Sequence, residues 1–153
     1  MNLETAVSTA GGDFDQALQT ILRHFGAQVG TIHTMGPDGQ LHMRAHSRGI
    51  PEVVLAATRI VPVGKGIAGL AVARKAPVSL CNLQEDESGD VRPGARATGA
   101  MGSLCVPILA GDEAVGALGI ATMGERTFTE AETQSLLAAG RALAASVATS
   151  VAT

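Results

Sequence analysis

The sequence predicts an α+β domain, one antiparallel sheet of about six strands with helices over both faces. Three observations lead there. Two extended runs, 27–35 and 40–47, flank Gly36-Pro37-Asp38-Gly39, a strong hairpin signal. A second pair, 102–109 and 113–123, flanks Ala110-Gly111-Asp112 and is the most strand-like part of the chain. Apolar residues at helical spacing, each set preceded by capping residues, mark both ends.

Residues 1–12 are small and polar and are expected to form a flexible terminus ahead of a single domain over 13–150. Asp13 with Gln16 reads as a capping box, Leu18, Ile21, Leu22 and Phe25 follow at helical spacing, and Gly26 stops the helix. After the first hairpin, Gly49-Ile50-Pro51 opens a short helical piece over 52–57. Residues 59–63 read as a strand, 67–74 as a helix, and 78–80 as a short strand beyond Pro77. Residues 84–98 are polar, with Gly, Pro and clustered charge, and read as a long loop of the kind used as a lid. After the second hairpin, Thr129 and Glu132 make another capping box. The helix behind it runs toward Val147 with Leu136, Leu137, Leu143 and Val147 on one face. The terminal helices then cover one face of the sheet, and the middle helices and long loop cover the other. The chain ends directly after its last helix, so no attached output module is expected.

Composition narrows the function. Of 153 residues, 46% are apolar and only 16% charged, with a net charge of −3, which is enough chain for a proper core. Lys and Arg are scattered and aromatics are almost absent (three Phe, no Tyr, no Trp), which disfavours nucleic-acid binding. No apolar run reaches the ~18 residues of a membrane span, and no secretory signal is visible. Two cysteines, Cys81 and Cys105, do not suggest a disulfide scaffold, so a reducing cytoplasm is the expected location.

The stretch with most chemical content is 59–77. A strand, then Gly64-Lys65-Gly66, then a helix start points several backbone N–H groups at one spot. Those groups have no partner inside the helix, and the helix dipole leaves that end partly positive. A polar or anionic small molecule is the natural occupant.

Three histidines lie on the first hairpin. With a four-residue turn, His33 pairs across with His42, and His46 follows on the same face. Three such imidazoles could ligate zinc or nickel. Arg44 between two of them repels a cation, and no carboxylate stands nearby to support the ligands, so no metal is expected.

The sequence resembles a GAF domain. The match is carried by 18–25, Gly49-Ile50-Pro51, Val63-Gly64-Lys65-Gly66-Ile67-Ala68-Gly69, Val106-Pro107-Ile108, Val115-Gly116-Ala117-Leu118-Gly119-Ile120, and Phe128-Thr129-Glu130 with the helix after it. The resemblance covers 15–148. It implies a sensory module that holds a small ligand between the sheet and the middle helices and forms a homodimer through its terminal helices. On this resemblance the ligand-binding residues are Gly64, Lys65, Gly66, Ile67, Ala68, Ile32, Ser103, Cys105, Gly119, Ala121 and Arg96, with Arg92 also within the loop. That wall is small and almost uncharged, so a neutral or anionic guest suits it, without cofactor, metal or catalysis.

The enzyme alternative is a diverged thiol-dependent enzyme of the free methionine-(R)-sulfoxide reductase type, similar across 61–73, 106–118 and 126–132. The cysteine positions of that family fall at Thr58, at Ala68 and near 89–93, and its substrate-gripping carboxylates at Ser103, Gly119 and Ala121; none is Cys or acidic here. Thiol chemistry does not run without a positioned thiolate. The cyclic-nucleotide signature Asn-Lys-Phe-Asp-Glu is absent. The haem-ligand position, close to Ala97, lies in a stretch without His, and the neighbours of Cys81 do not match the bilin pattern.

Overall fold

A computed structural model of the chain describes residues 3–10, 13–80 and 101–152. In chain order the elements are α1 (Leu3–Thr9), α2 (Phe14–Phe25), β1 (Val29–Met35), β2 (Leu41–His46), α3 (Glu52–Thr58), β3 (Ile60–Val61), α4 (Gly66–Arg74), β4 (Val78–Leu80), β5 (Gly102–Ala110), β6 (Glu113–Thr122) and α5 (Glu130–Ala152). The strands form one six-stranded sheet in the order β3-β2-β1-β6-β5-β4, every neighbouring pair antiparallel. This is the architecture the hairpin signals implied. The two hairpins meet at the centre through β1 and β6.

Strand alternation divides the core in two. On one face Ile32, Leu104, Val106, Ile108, Leu118 and Ile120 pack with α1, α2 and α5, whose Leu18, Ile21, Leu136 and Leu143 are fully buried. On the other, Cys105 and Ala117 pack with Val61, Ala71, Val72 and Val78 beneath α4. The central strands give the first layer large side chains, whereas on the second face they give only Cys105 and Ala117 to the core, and the difference leaves room for a cavity.

Caps fix the helix ends. The Asp13 carboxylate accepts the Gln16 N–H at 3.0 Å, and Gly26 closes α2 in the left-handed conformation at φ 66°. Before α5 the capping box is reciprocal: Thr129 Oγ1 accepts the Glu132 N–H at 3.1 Å, and the Glu132 carboxylate accepts the Thr129 N–H at 3.0 Å. Arg126 bridges Glu132 to the Phe25 carbonyl, tying the entry of α5 to the end of α2.

Two expectations are corrected here. Residues 3–9, read as part of a flexible terminus, form α1. Its Leu3 and Val7 are buried against the same core as α5, so an i, i+4 apolar pair in a small-residue segment is enough to dock a short helix. The first hairpin has a five-residue turn, with Met35 opposite Leu41, so His33 pairs with Met43 and His42 with Thr34. Arg44 is the extra residue of a bulge opposite Ile32 and His33. A one-residue slip sends side chains to the other face. His42 instead meets the Asp38 carboxylate at 2.9 Å, and His46 Nδ1 donates to the Ser47 carbonyl at 2.9 Å. The three imidazoles diverge, and no metal-binding cluster exists among the described residues. Nor is any helix among them long and apolar enough to cross a membrane.

Candidate functional site

The cavity follows from register. On its face of the sheet, Thr31, Gly119 and Cys105 form one row across β1, β6 and β5, and Val29, Ala121 and Ser103 form the next. The central strand contributes Gly119 and Ala121 to these rows, so the middle of each row is low. A Cβ added at Gly119 would lie 3.6 Å from Cys105 Sγ and 3.7 Å from Thr31 Oγ1, ordinary contact distances. The hollow above this floor has a volume of about 150 Å³ and is bordered by Val54 and Thr58 of α3, Val61 of β3 and the start of α4 at Lys65–Ala68. Its lining is overwhelmingly apolar.

The start of α4 is held by glycine. Gly64 sits at φ 87° and Gly66 at φ 68°, conformations that other residues rarely take. The Gly64 N–H donates to the Gly69 carbonyl at 2.9 Å and the Lys65 N–H to the Pro62 carbonyl at 3.2 Å. Helix and turn are therefore pressed together: a Cβ at Gly69 would lie 2.4 Å from the Pro62 carbonyl oxygen. The donors that remain are the first-turn amides of Gly66, Ile67 and Ala68, for which a helix supplies no internal acceptor. Lys65 is exposed beside them and makes no side-chain cap.

The structure brings Lys65, Gly66, Ile67, Ala68, Ser103, Cys105, Gly119 and Ala121 around this one cavity. It does not bring Ile32 or Gly64. Ile32 is fully buried on the opposite face, in the layer under α2 and α5, because its neighbours Thr31 and His33 take the cavity side. The Gly64 amide is already engaged by Gly69. Arg96, Arg92, Cys81 and the expected loop over 84–98 lie outside the described residues.

His33 is the residue that sequence reasoning assigned to the wrong place. It is 3% exposed and lines the cavity, and its Nε2 donates to the Thr58 carbonyl oxygen at 2.8 Å. Nδ1 is buried with no hydrogen-bond partner among the described residues. Burial holds its pKa below the ordinary histidine value, and the charge of His42 adds to that, against the pull of the Thr58 bond. The signal available in sequence was alternation with Thr31, hidden by the assumed turn length.

Cys105 is buried in the floor, and burial alone pushes its thiol up to about 12. At neutral pH its thiolate fraction is on the order of 10⁻⁵. It packs as a small apolar residue.

The profile of the GAF domain matches residues 14–148, and the chain belongs to the GAF domain family. Among solved structures it is similar to the GAF domain of an Acinetobacter phosphoenolpyruvate-protein phosphotransferase, with a TM-score of 0.75 and 18% identity, over 99% of this chain and 86% of that one. The corresponding domain from Coxiella burnetii gives 0.74 and 22%, over 99% and 85%. A free methionine-R-sulfoxide reductase from Neisseria meningitidis, solved in complex with its substrate, gives 0.74 and 14%, over 98% and 86%. At these identities the likeness is one of fold. Among curated proteins the sequence finds no match.

Proposed function

We propose that this GAF domain is a non-catalytic sensory module that binds a small neutral or anionic molecule in the cavity between α4 and the β1-β6-β5 floor. The observation that carries the reading is the hollow itself, with small side chains beneath and free helix-start amides at one end. A cavity of about 150 Å³ is of the size known to take a benzene-sized guest, and an apolar lining favours one with a largely apolar body. The first-turn amides of α4, with its dipole and Lys65 assisting, donate to a carbonyl, hydroxyl or anionic oxygen of the guest. That one structure of this fold carries its substrate supports small-molecule binding as a use of the fold.

Signal output in this reading is an altered packing of α3 and α4 over the guest, passed on by a homodimer of the terminal helices in the cytoplasm. The thiol-enzyme alternative lacks support at Cys105, whose buried, protonated sulfur is a poor nucleophile.

A thermal-shift screen of small neutral molecules, carboxylates and inorganic anions tests the proposal. A ligand at a hundred times its Kd adds about 2.7 kcal/mol, or roughly 5–10 °C for a domain of this size. Turnover of free methionine sulfoxide with a thiol reductant, abolished by Cys105→Ser, would replace the sensory reading with the enzymatic one.

A further inference from the structure

We infer that the guest of this cavity must bring a hydrogen-bond donor, an O–H or N–H that it gives to His33 Nδ1, so that small phenols, amides or alcohols are taken and hydrogen-free anions are not. This rests on the cavity reading above and narrows its ligand class.

A carbonyl oxygen only accepts, so the contact from Nε2 to Thr58 O fixes the proton on Nε2. In the neutral imidazole, Nδ1 is then a lone pair and nothing else. Protonating it would bury a charge among apolar neighbours, and the group among the described residues whose charge bears on the ring, His42 on β2, is itself basic. The ring is thus held as an acceptor within the cavity wall, with no donor among the described residues to meet it. A buried acceptor left unmatched is unfavourable, and a guest that matches it gains what the empty site lacks.

The α4 amides ask for the opposite. Gly66, Ile67 and Ala68 present donors, so the guest's acceptor belongs at that end and its donor at His33. Nitrate or sulfate would suit the helix start and offer nothing to Nδ1. A hydroxyl or carboxamide offers both, and its carbon body suits the apolar remainder.

Phenol and toluene test this, since they share shape and size and differ in the O–H. In a purely apolar cavity toluene binds and phenol is penalised for its buried hydroxyl. With His33 as acceptor, the native protein binds phenol at least as tightly as toluene, and nitrate gives no more thermal shift than chloride at equal ionic strength. In His33→Phe, phenol weakens by at least about tenfold while toluene is retained. The ¹⁵N resonance of Nδ1 in the native protein moves upfield with phenol and not with toluene, a readout that stands whether or not the variant folds. Toluene binding with weaker phenol binding, or with an unmoved Nδ1 resonance in the presence of phenol, overturns the inference and leaves the cavity reading intact. A thermal shift from nitrate that phenol does not match overturns it as well. If neither aromatic binds, this inference is overturned, and the cavity reading stands or falls on the wider thermal-shift screen.

Discussion

His33 Nε2 lies 2.8 Å from the carbonyl oxygen of Thr58, the last residue of α3. The bond joins the sheet floor to the C-terminal end of a helix whose last carbonyls have no internal donors. It therefore sets where α3 sits over the cavity, and it does so with an uncharged ring.

That neutrality has a pH signature. The folded-state pKa of His33 is lowered, so between the folded and unfolded values the unfolded chain holds the extra proton. Stability is complete above the unfolded value of about 6.5 and declines as pH falls below it, toward the lower folded value. Urea denaturation between pH 8 and 5 should show this decline in the native protein and a shallower one in His33→Phe. Equal slopes would remove the buried-neutral assignment.

Gly119 controls the cavity volume. Gly119→Ala adds a methyl at ordinary contact distance from Cys105 and Thr31, so the fold is kept, and losing a strand glycine gains about 0.5–1 kcal/mol. Gly119→Val fills more of the hollow. We expect toluene affinity to fall in the order Gly, Ala, Val while melting temperature does not fall in step; a parallel loss of both would mean the residue is structural only.

Gly69 has no such freedom. A Cβ there would strike the Pro62 carbonyl oxygen, which is backbone, so Gly69→Ala must push α4 away from the turn. Overpacking of this kind costs about 1–3 kcal/mol. Chemical denaturation should report that loss, together with weaker ligand-induced thermal shift.

Cys105 should behave as an inert core residue. Iodoacetamide at pH 8 followed by site-resolved mass spectrometry should leave Cys105 unmodified in the folded protein and label it in denaturant. Rapid labelling in the native state would reopen the thiol-enzyme reading.

The reciprocal cap of α5 offers a stability test remote from the cavity. Thr129→Ala removes the acceptor for the Glu132 N–H and should cost about 1 kcal/mol, or roughly 2–4 °C in melting temperature, with ligand binding unchanged.

Much of this was legible in the sequence because local chemistry dictated it. Gly26, the Thr129/Glu132 pair and the turn at 111–112 act through their own neighbours, and the second hairpin stands within one residue of where it was expected, with Ala110 closing the ladder opposite Glu113. The Gly64–Ala68 turn was readable for the same reason. What failed was register. The extra turn residue Gln40 and the bulge at Arg44 changed which residues pair across the first hairpin, so His42 does not share a face with His33. Ile32, expected at the site from the family resemblance, lies on the other face of β1. The α1 helix was missed because its order comes from docking Leu3 and Val7 on a distant partner rather than from propensity.

The sheet order places β1 directly against β6, so Thr31 faces Gly119 across the seam where the two hairpins join. The hollow straddles that seam. It has no existence in either hairpin alone, and it forms only after segments from opposite ends of the chain have met, the kind of long-range closure that is slow to arrive. Whatever molecule settles there grips both halves at once, and so acts as a clasp on the completed domain.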